Sequence, residues 1–448
     1  MALAAWACLA AAPALAQDEV QPPALEAAPV GDSEEEEIDI VGGTRAATPI
    51  AVPDFPTPNP AQTPAGETGA LGRQIAEIIA NDLRNSGLFD PVDRSLLRSV
   101  TMPEVTAPNY DSWAQVGAQA LVHGYVQDNG SGLTIGCYLY DVLARSALDR
   151  AGYELGYADW RRGAHRCADM IYQRLTGEGA WFDSRIVYVA ESGPKDNRTR
   201  RIAVMDTDGA NHRFLTNGQS IVLTPRYAPD QRTIVYMSYI NEEPRVYIYD
   251  LASGQQRLLV NSPNMTFAPR YSPDSRYVVF SMAVNGNSDI YRVAVSGGTP
   301  QRLTNAPGID TGASYSPDGR SITFESDRSG SQQIYVMNAD GSNPRRISFG
   351  GGSYATPVWS PRGDLIAFTS GFNIGVMSPS GGGARILTRD YQAEGPSWAP
   401  NGRVIHYFQT PRGTGLPSLW AVDLTGRVRQ LRTPLGGSDP SWSPLLPD

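Results

Sequence analysis

The chain has 448 residues, a net charge of −9 and abundant glycine and proline, 45 and 35 of them. This length can hold at least one large core, and the negative charge leaves no basic face for neutralising nucleic-acid phosphates. We therefore expect no nucleic-acid partner and a fold with many short strands joined by tight turns.

The N-terminal residues have the pattern of an export signal followed by an acidic leader. Residues 1–16 are small and apolar and end in an Ala-Leu-Ala triplet before Gln17. This A-x-A ending is typical of a cleaved secretory signal, and the stretch is shorter than the roughly 20 residues that span a bilayer. Residues 17–37 are rich in Pro, Ala and Glu, which predicts disorder. We expect an exported protein without membrane insertion.

Residues 38–180 change between helical and strand periodicity, which predicts a small α/β domain. Apolar residues at helical spacing predict helices over 71–85, 113–118 and 162–175. Apolar runs predict strands over 38–41, 49–55, 120–126 and 133–148, the last two joined by a turn sequence.

Two cysteines follow the signal, Cys137 in the last of these strands and Cys167 in the last helix. Cys137 shares a strand face with Ile135 and Leu139, so both thiols are predicted to point into the core between sheet and helix. An even pair in an oxidising compartment favours a disulfide, and two buried reduced thiols are the alternative. With no histidine pair nearby, we predict no metal and no cofactor.

The rest of the chain is organised around a phrase that returns six times: an aromatic residue, a small residue and proline. Its aromatic residues are Tyr227, Tyr271, Tyr315, Trp359, Trp398 and Trp442. The intervals of 44, 44, 44, 39 and 44 residues have the period of four-stranded propeller blades.

The two ends of this repeat array are complementary. The first blade begins at 185–191 with what matches a second strand, whereas 439–443 is a lone innermost strand. Joining the two completes six blades and leaves no open sheet edge. The predicted fold is an α/β N-terminal domain followed, over 181–448, by an all-β six-bladed propeller that the C-terminal strand closes.

The chain combines an export signal with a small α/β domain, and the sequence Arg174-Leu175-Thr176-Gly177 precedes six blades of Ser-Pro-Asp type. In this combination it resembles the TolB family, the periplasmic component of the Tol-Pal system. The resemblance covers residues 38–448. It implies a monomeric periplasmic adaptor without catalytic activity, which binds the lipoprotein Pal on the propeller and the inner-membrane protein TolA through its N-terminal segment. Roles in outer-membrane integrity, cell division and protein import follow from it, with other envelope proteins as further partners.

The resemblance also assigns residues to the two partners. TolA contact falls on an extended segment that suits strand addition to a partner sheet, with an ordinary edge strand as the alternative. Its residues are Ile38, Asp39, Ile40, Val41, Gly42 and Gly43. Pal contact falls on the loops before the innermost strands, which converge on one mouth of the channel. The residues assigned to it are Leu223, Met265, Thr266, Phe267, Asp310, Thr311, Ser353, Tyr354 and Glu394.

Two other functions stay open at this point. Propellers of this type also precede serine peptidase domains, although the chain has no G-x-S-x-G stretch. The four histidines, His123, His165, His212 and His406, are dispersed without the spacing of a metal site. A periplasmic propeller that binds a small ligand in its channel is the other alternative.

Overall fold

The computed structural model describes residues 46–350, 352–389, 392–413 and 415–447. The predicted signal, the acidic leader and the predicted TolA segment, 38–43, lie outside the described residues. The described part consists of an α/β domain followed by six four-stranded sheets. No helix within these ranges is both long enough and apolar enough to cross a membrane.

The α/β domain is a five-stranded sheet with helices on both faces. Its strands are β1 Thr48–Ala51, β2 Gln62–Thr63, β3 Gly66–Glu67, β4 Phe89–Pro91, β5 Ala120–Asp128, β6 Leu133–Asp141 and β7 Ser146–Leu155. Its α-helices are α1 Thr68–Ser86, α2 Met102–Thr106, α3 Tyr110–Gln115 and α4 Trp160–Thr176. The sheet order is β4-β1-β5-β6-β7, and β2 with β3 forms a separate hairpin. Helices α1 and α4 share a core with one face of the sheet, and α2 and α3 cover the other.

Helix α1 confirms the helix predicted over 71–85, and its sequence explains both ends. The Glu67 carboxylate accepts the backbone N–H groups of Gly69 and Ala70, which satisfies donors that the first turn leaves open. Gly87 follows the last turn with φ 75°, a left-handed conformation that glycine adopts at little cost.

The single strand predicted over 133–148 is wrong, because two strands occupy this stretch. Strand β6 ends at Asp141, whose side chain accepts the backbone N–H of Ala144 at 2.7 Å. A turn containing Arg145, at φ 54°, then reverses the chain into β7. Since β7 lies at the sheet edge and exposes many of its side chains, its alternation is too weak to mark a separate strand.

Other bounds in this domain differ by a few residues. The helix predicted over 113–118 begins earlier, at Tyr110, and the strand predicted over 49–55 ends at Ala51. Helix α2 is not among the predicted elements, although Thr101 and Glu104 form a capping box at its start. The helix predicted over 162–175 is confirmed as α4.

A disulfide joins β6 to α4 across the domain core. Cys137 and Cys167 are fully buried, and their Cα atoms lie 6.0 Å apart. In the chain-entropy model, closing a loop of this length stabilises the fold by roughly 3 to 4 kcal/mol.

The propeller consists of six antiparallel blades. The first contains β8 Arg185–Ser192, β9 Thr199–Asp206 and β10 Arg213–Phe214. The second contains β11 Val222–Tyr227, β12 Thr233–Ser238, β13 Arg245–Asp250 and β14 Gln256–Leu258, and the third β15 Thr266–Tyr271, β16 Tyr277–Val284, β17 Asn287–Ala294 and β18 Gln301–Arg302. The fourth contains β19 Asp310–Tyr315, β20 Ser321–Ser326, β21 Gln333–Asn338 and β22 Arg345–Arg346. The fifth contains β23 Tyr354–Trp359, β24 Ile366–Ser370, β25 Asn373–Met377 and β26 Arg385–Ile386, and the sixth β27 Ala393–Trp398, β28 Val404–Gln409, β29 Ser418–Asp423 and β30 Val428–Gln430.

The last strand, β31 Gly436–Trp442, completes the first blade. It pairs antiparallel with β8 and takes the innermost place that β8, β9 and β10 leave open. The predicted six-bladed ring and its closure by the C-terminal strand are therefore confirmed.

The antiparallel order gives the propeller two different ends. All innermost strands begin at one end, which we call the mouth face. The opposite end, the turn face, carries the turns that follow the innermost strands and those between third and fourth strands. The α/β domain contacts the turn face: Glu178, just after α4, binds Arg362 at 2.9 Å and Arg403 at 2.8 Å, both in turns after innermost strands.

Candidate functional site

Every innermost strand has a β-bulge close to the mouth face. One residue of each bulge has a positive φ, between 46° and 66°; these residues are Thr224, Ala268, Gly312, Thr356, Gly395 and Asp439. For the β-branched Thr224 and Thr356 this conformation costs on the order of 1–3 kcal/mol. Such backbone strain persists only where neighbouring contacts maintain it. Contacts between the blades must therefore hold the innermost strands in this conformation at the mouth face.

Carboxylates from adjoining blades hold the two strained threonines. The backbone N–H of Thr224, in the second blade, donates to Asp439 Oδ2 in the first blade at 3.1 Å. The backbone N–H of Thr356, in the fifth blade, donates to Glu325 Oε2 in the fourth at 2.6 Å. These contacts join neighbouring blades: Asp439 links two innermost strands, and Glu325 links the second strand of its blade to the next innermost strand.

The channel wall carries both signs of charge near Asp439. Burial raises the pKa of the Asp439 carboxyl, and the nearby Arg226 guanidinium opposes that rise. Burial also lowers the pKa of Arg226, whose Nη1 donates to the carbonyl oxygen of Pro225 at 2.8 Å. Glu394, at the bulge of the sixth blade, has a pKa raised by burial and by the charge of Asp439. The inner wall therefore keeps a network of mutually dependent charges.

The nine residues assigned to Pal all lie at the beginning of innermost strands or directly before them. Met265 and Ser353 are exposed, and five are partly buried, namely Leu223, Phe267, Thr311, Tyr354 and Glu394. Thr266 and Asp310 are fully buried. The Thr266 hydroxyl accepts the backbone N–H of Val246 at 3.0 Å, and Asp310 pairs with Arg328 at 2.6 Å, so these two side chains hold the strands in place.

Exposed apolar side chains on the mouth face form a second feature, and the residues assigned to Pal include only one of them, Met265. Half of the exposed large apolar side chains among the described residues lie in connections at this end: Ile221, Met265, Ile309, Phe349, Phe372 and Leu416. The available signal was an apolar residue directly before an innermost strand, as at Ile221 and Ile309. Exposed apolar side chains gathered at one end of a fold favour a protein interaction site there.

The joint between the two domains is organised by a buried carboxylate in α4. Asp169 accepts the backbone N–H groups of Trp181, Phe182 and Asp183 at 2.6, 2.8 and 2.9 Å. Trp181 in turn packs edge to face on Trp442 of β31, with ring centroids 5.5 Å apart. The segment that enters the first blade is thereby fixed to α4 and to the closing strand at once.

A second buried cluster at this joint brings together residues that are far apart in the sequence. His165 of α4 lies with Nδ1 2.7 Å from Asp82 Oδ2 of α1, and Asp206 and Asp208 approach it from the first blade. Burial lowers the pKa of His165, but the carboxylates outweigh burial and raise that pKa to about 9. Arg161 contacts Asp208 and balances part of the negative charge.

Comparisons with known proteins agree with this architecture. The family model described as the TolB beta propeller domain matches residues 172–446, and that of the TolB amino-terminal domain matches residues 36–148. A relative from Rhizorhabdus wittichii named Tol-Pal system protein TolB is 72% identical over 416 residues, covering 92% of this chain and 95% of that protein. Its namesake from Zymomonas mobilis is 67% identical, with 92% and 91% covered. The crystal structure of TolB from Acinetobacter baumannii superposes with a TM-score of 0.78 at 28% identity, covering 90% of this chain and 98% of that one. The chain belongs to the TolB family.

Proposed function

We propose that the protein is a non-enzymatic periplasmic adaptor of the Tol-Pal system, exported by the signal at 1–16. In this proposal the mouth face of the propeller binds the lipoprotein Pal, and the segment 38–43 binds TolA. The adaptor then supports outer-membrane integrity and constriction at cell division. The name shared by the relatives, Tol-Pal system protein TolB, supports membership of the system.

The observation that carries the Pal assignment is the exposed apolar surface of the mouth face. Met265 is 40% exposed and Phe349 is 66% exposed, at the end of the propeller opposite the α/β domain. A stable protein partner there is expected to bury on the order of 1,600 Å² in total, with apolar anchors at its centre and polar groups around them. Seven of the nine assigned residues are available for such contacts, and the buried pair, Thr266 and Asp310, shapes the surface.

Pal binding is tested by a charge placed on the mouth face and by a matched control. Met265→Glu is expected to weaken binding of purified Pal at least tenfold in titration calorimetry. A carboxylate buried against an apolar partner loses its hydration and gains no hydrogen bond or opposite charge in return. Tyr277→Glu is the control: Tyr277 is 41% exposed in the same blade but lies at the turn face. Equal affinities for the two variants would place Pal elsewhere.

The TolA assignment has a separate test. Deleting residues 38–43 from the mature chain is expected to abolish binding of TolA and to leave the affinity for Pal within a factor of a few. If the deletion leaves TolA binding intact, the segment is not the TolA site, whatever the outcome at the mouth face.

A further inference from the structure

The cluster at the domain joint contains a buried imidazole nitrogen without a hydrogen-bond partner. His165 is 2% exposed, and its Nε2 has no hydrogen-bond partner among the described residues. The nearest carboxylate oxygen, Asp208 Oδ2, lies 3.9 Å away, beyond hydrogen-bond distance. Leaving a buried imidazole nitrogen unpaired costs stability, so the position calls for an explanation.

The other ring nitrogen is arranged as in metal-binding histidines. Asp82 Oδ2 lies 2.7 Å from Nδ1, and Asp82 is itself 2% exposed, so this pair is held deep in the fold. A carboxylate on one imidazole nitrogen fixes the ring orientation and makes the opposite nitrogen a better ligand once the ion displaces its proton. In His165 that opposite nitrogen is Nε2, which faces the first blade.

The first blade supplies two carboxylates. One oxygen each of Asp206 and Asp208 and one nitrogen of His165 all lie within 4.8 Å of one another. Around a tetrahedral ion with ligand bonds near 2.0 Å, such atoms stand about 3.3 Å apart, so the widest separation has to shorten by up to about 1.5 Å. From this geometry we propose that His165, Asp206 and Asp208 bind a divalent transition-metal ion between the α/β domain and the propeller.

The donor set determines which ions fit. One imidazole nitrogen with two carboxylates suits zinc, cobalt or manganese, whereas magnesium and calcium prefer sites made of oxygen alone. Three protein ligands leave a fourth position for water or for a group from a partner. A cavity of about 400 Å³, lined in part by Asp206, Arg161 and Arg185, adjoins the cluster at Asp206.

Two arginines compete with the ion and set a limit on its affinity. Arg161 contacts Asp208, and its Nε lies 4.0 Å from Asp206 Oδ2. Arg185 Nε lies 3.6 Å from Asp206 Oδ1. Asn211 Nδ2 also donates to Asp206 Oδ2 at 2.6 Å, and a backbone N–H donates to Asp208 Oδ1 at 3.0 Å, so the ion has to share or displace an existing contact at each carboxylate. Metal binding would then tie α4 to the first blade more firmly.

The test uses the mature full-length protein after treatment with a chelator. Zinc chloride is titrated by calorimetry, and bound metal is counted by elemental analysis after dialysis. We expect one zinc ion per chain, a rise in the unfolding midpoint with zinc and none with magnesium. Cobalt chloride should give the intense visible bands of a four-coordinate ion.

Variants locate the site. His165→Gln and Asp208→Asn should each weaken zinc binding at least tenfold, and Asp82→Asn should weaken it 10- to 100-fold while keeping one ion per chain. His123→Gln, at a histidine that packs with α2 and α3 on the other face of the sheet, should bind like the wild type. Asp208 lies in a partly exposed turn, so its variant decides the matter if His165→Gln fails to fold. Absence of stoichiometric zinc in the wild type, or undiminished binding by Asp208→Asn, overturns the proposal.

Discussion

The closing strand makes a quantitative prediction through Trp442, which is 6% exposed at the end of β31. Its ring stacks on His406 with centroids 3.6 Å apart, and its Nε1 donates to Ser184 Oγ at 2.6 Å. Truncating a buried tryptophan to alanine costs about 3–5 kcal/mol, and the Ser184 hydroxyl loses one of its two hydrogen bonds, keeping the one that it donates to the Trp181 carbonyl oxygen. We expect Trp442→Ala to lower the free energy of unfolding by about 4 kcal/mol, a large share of the stability of a typical domain.

The assay is urea unfolding followed by far-UV circular dichroism, with Trp420→Ala as the control. Trp420, in β29 of the sixth blade, is only partly buried, although its Nε1 also donates to a serine, Ser418, at 2.9 Å. The control should lose less than half as much free energy. If both variants lose the same amount, the contacts of Trp442 do not hold the ring closed.

Three further predictions concern the α/β domain and its joint. Asp169→Asn, which leaves buried backbone N–H groups short of acceptors, should cost about 3 kcal/mol in urea unfolding, whereas Asp149→Asn on an exposed strand face should be neutral. Burial lowers the pKa of His123 to about 4, so the unfolded chain takes up the proton first; stability should fall by roughly 3 kcal/mol as the pH drops from 6.5 to below 4, and His123→Phe should remove that part of the loss. Replacing both Cys137 and Cys167 by alanine should cost roughly 3 to 4 kcal/mol and abolish any effect of a reducing agent on the unfolding midpoint.

The six-bladed ring was predictable because the sequence motif that marks each blade repeats at a regular interval. A phrase recurring about every 44 residues determines the blades, and the unmatched strands at the two ends determine the closure. Ser272 shows why the phrase recurs: its hydroxyl accepts the backbone N–H of Tyr277 and donates to Asp274, which forms the tight turn after an innermost strand. The fourth blade repeats these contacts at Ser316, whereas alanine takes this place in the second and sixth blades, so the common requirement is a small residue in the turn.

The bulges and the joint were not predictable, for two different physical reasons. Thr224 and Thr356 are residue types that disfavour positive φ, so the blade contacts that impose this conformation leave no local signal. Asp82, His165 and Asp208 come from three elements and meet only after the domains pack. Asp169 has the sequence appearance of a polar helix position, and only the packed joint shows its three backbone partners.

Strand β31 connects the two ends of the propeller, and this leads to a last prediction. At the mouth face its Asp439 accepts the N–H of Thr224, and three residues later Trp442 packs on Trp181 at the joint that Asp169 holds. If a bound partner displaces Asp439, the movement is therefore expected to reach the α/β domain through the three following residues of β31.

The double-mutant cycle of Asp439→Asn with Asp169→Asn measures the energetic coupling between these two positions. We expect a coupling free energy of unfolding of about 0.5 kcal/mol or more, although the two carboxylates share no partner among the contacts described. For two ligands bound at the two ends, each must change the affinity for the other by the same factor, since linkage of binding free energies is reciprocal. Strict additivity of the two substitutions would mean that β31 closes the ring without transmitting changes between its ends.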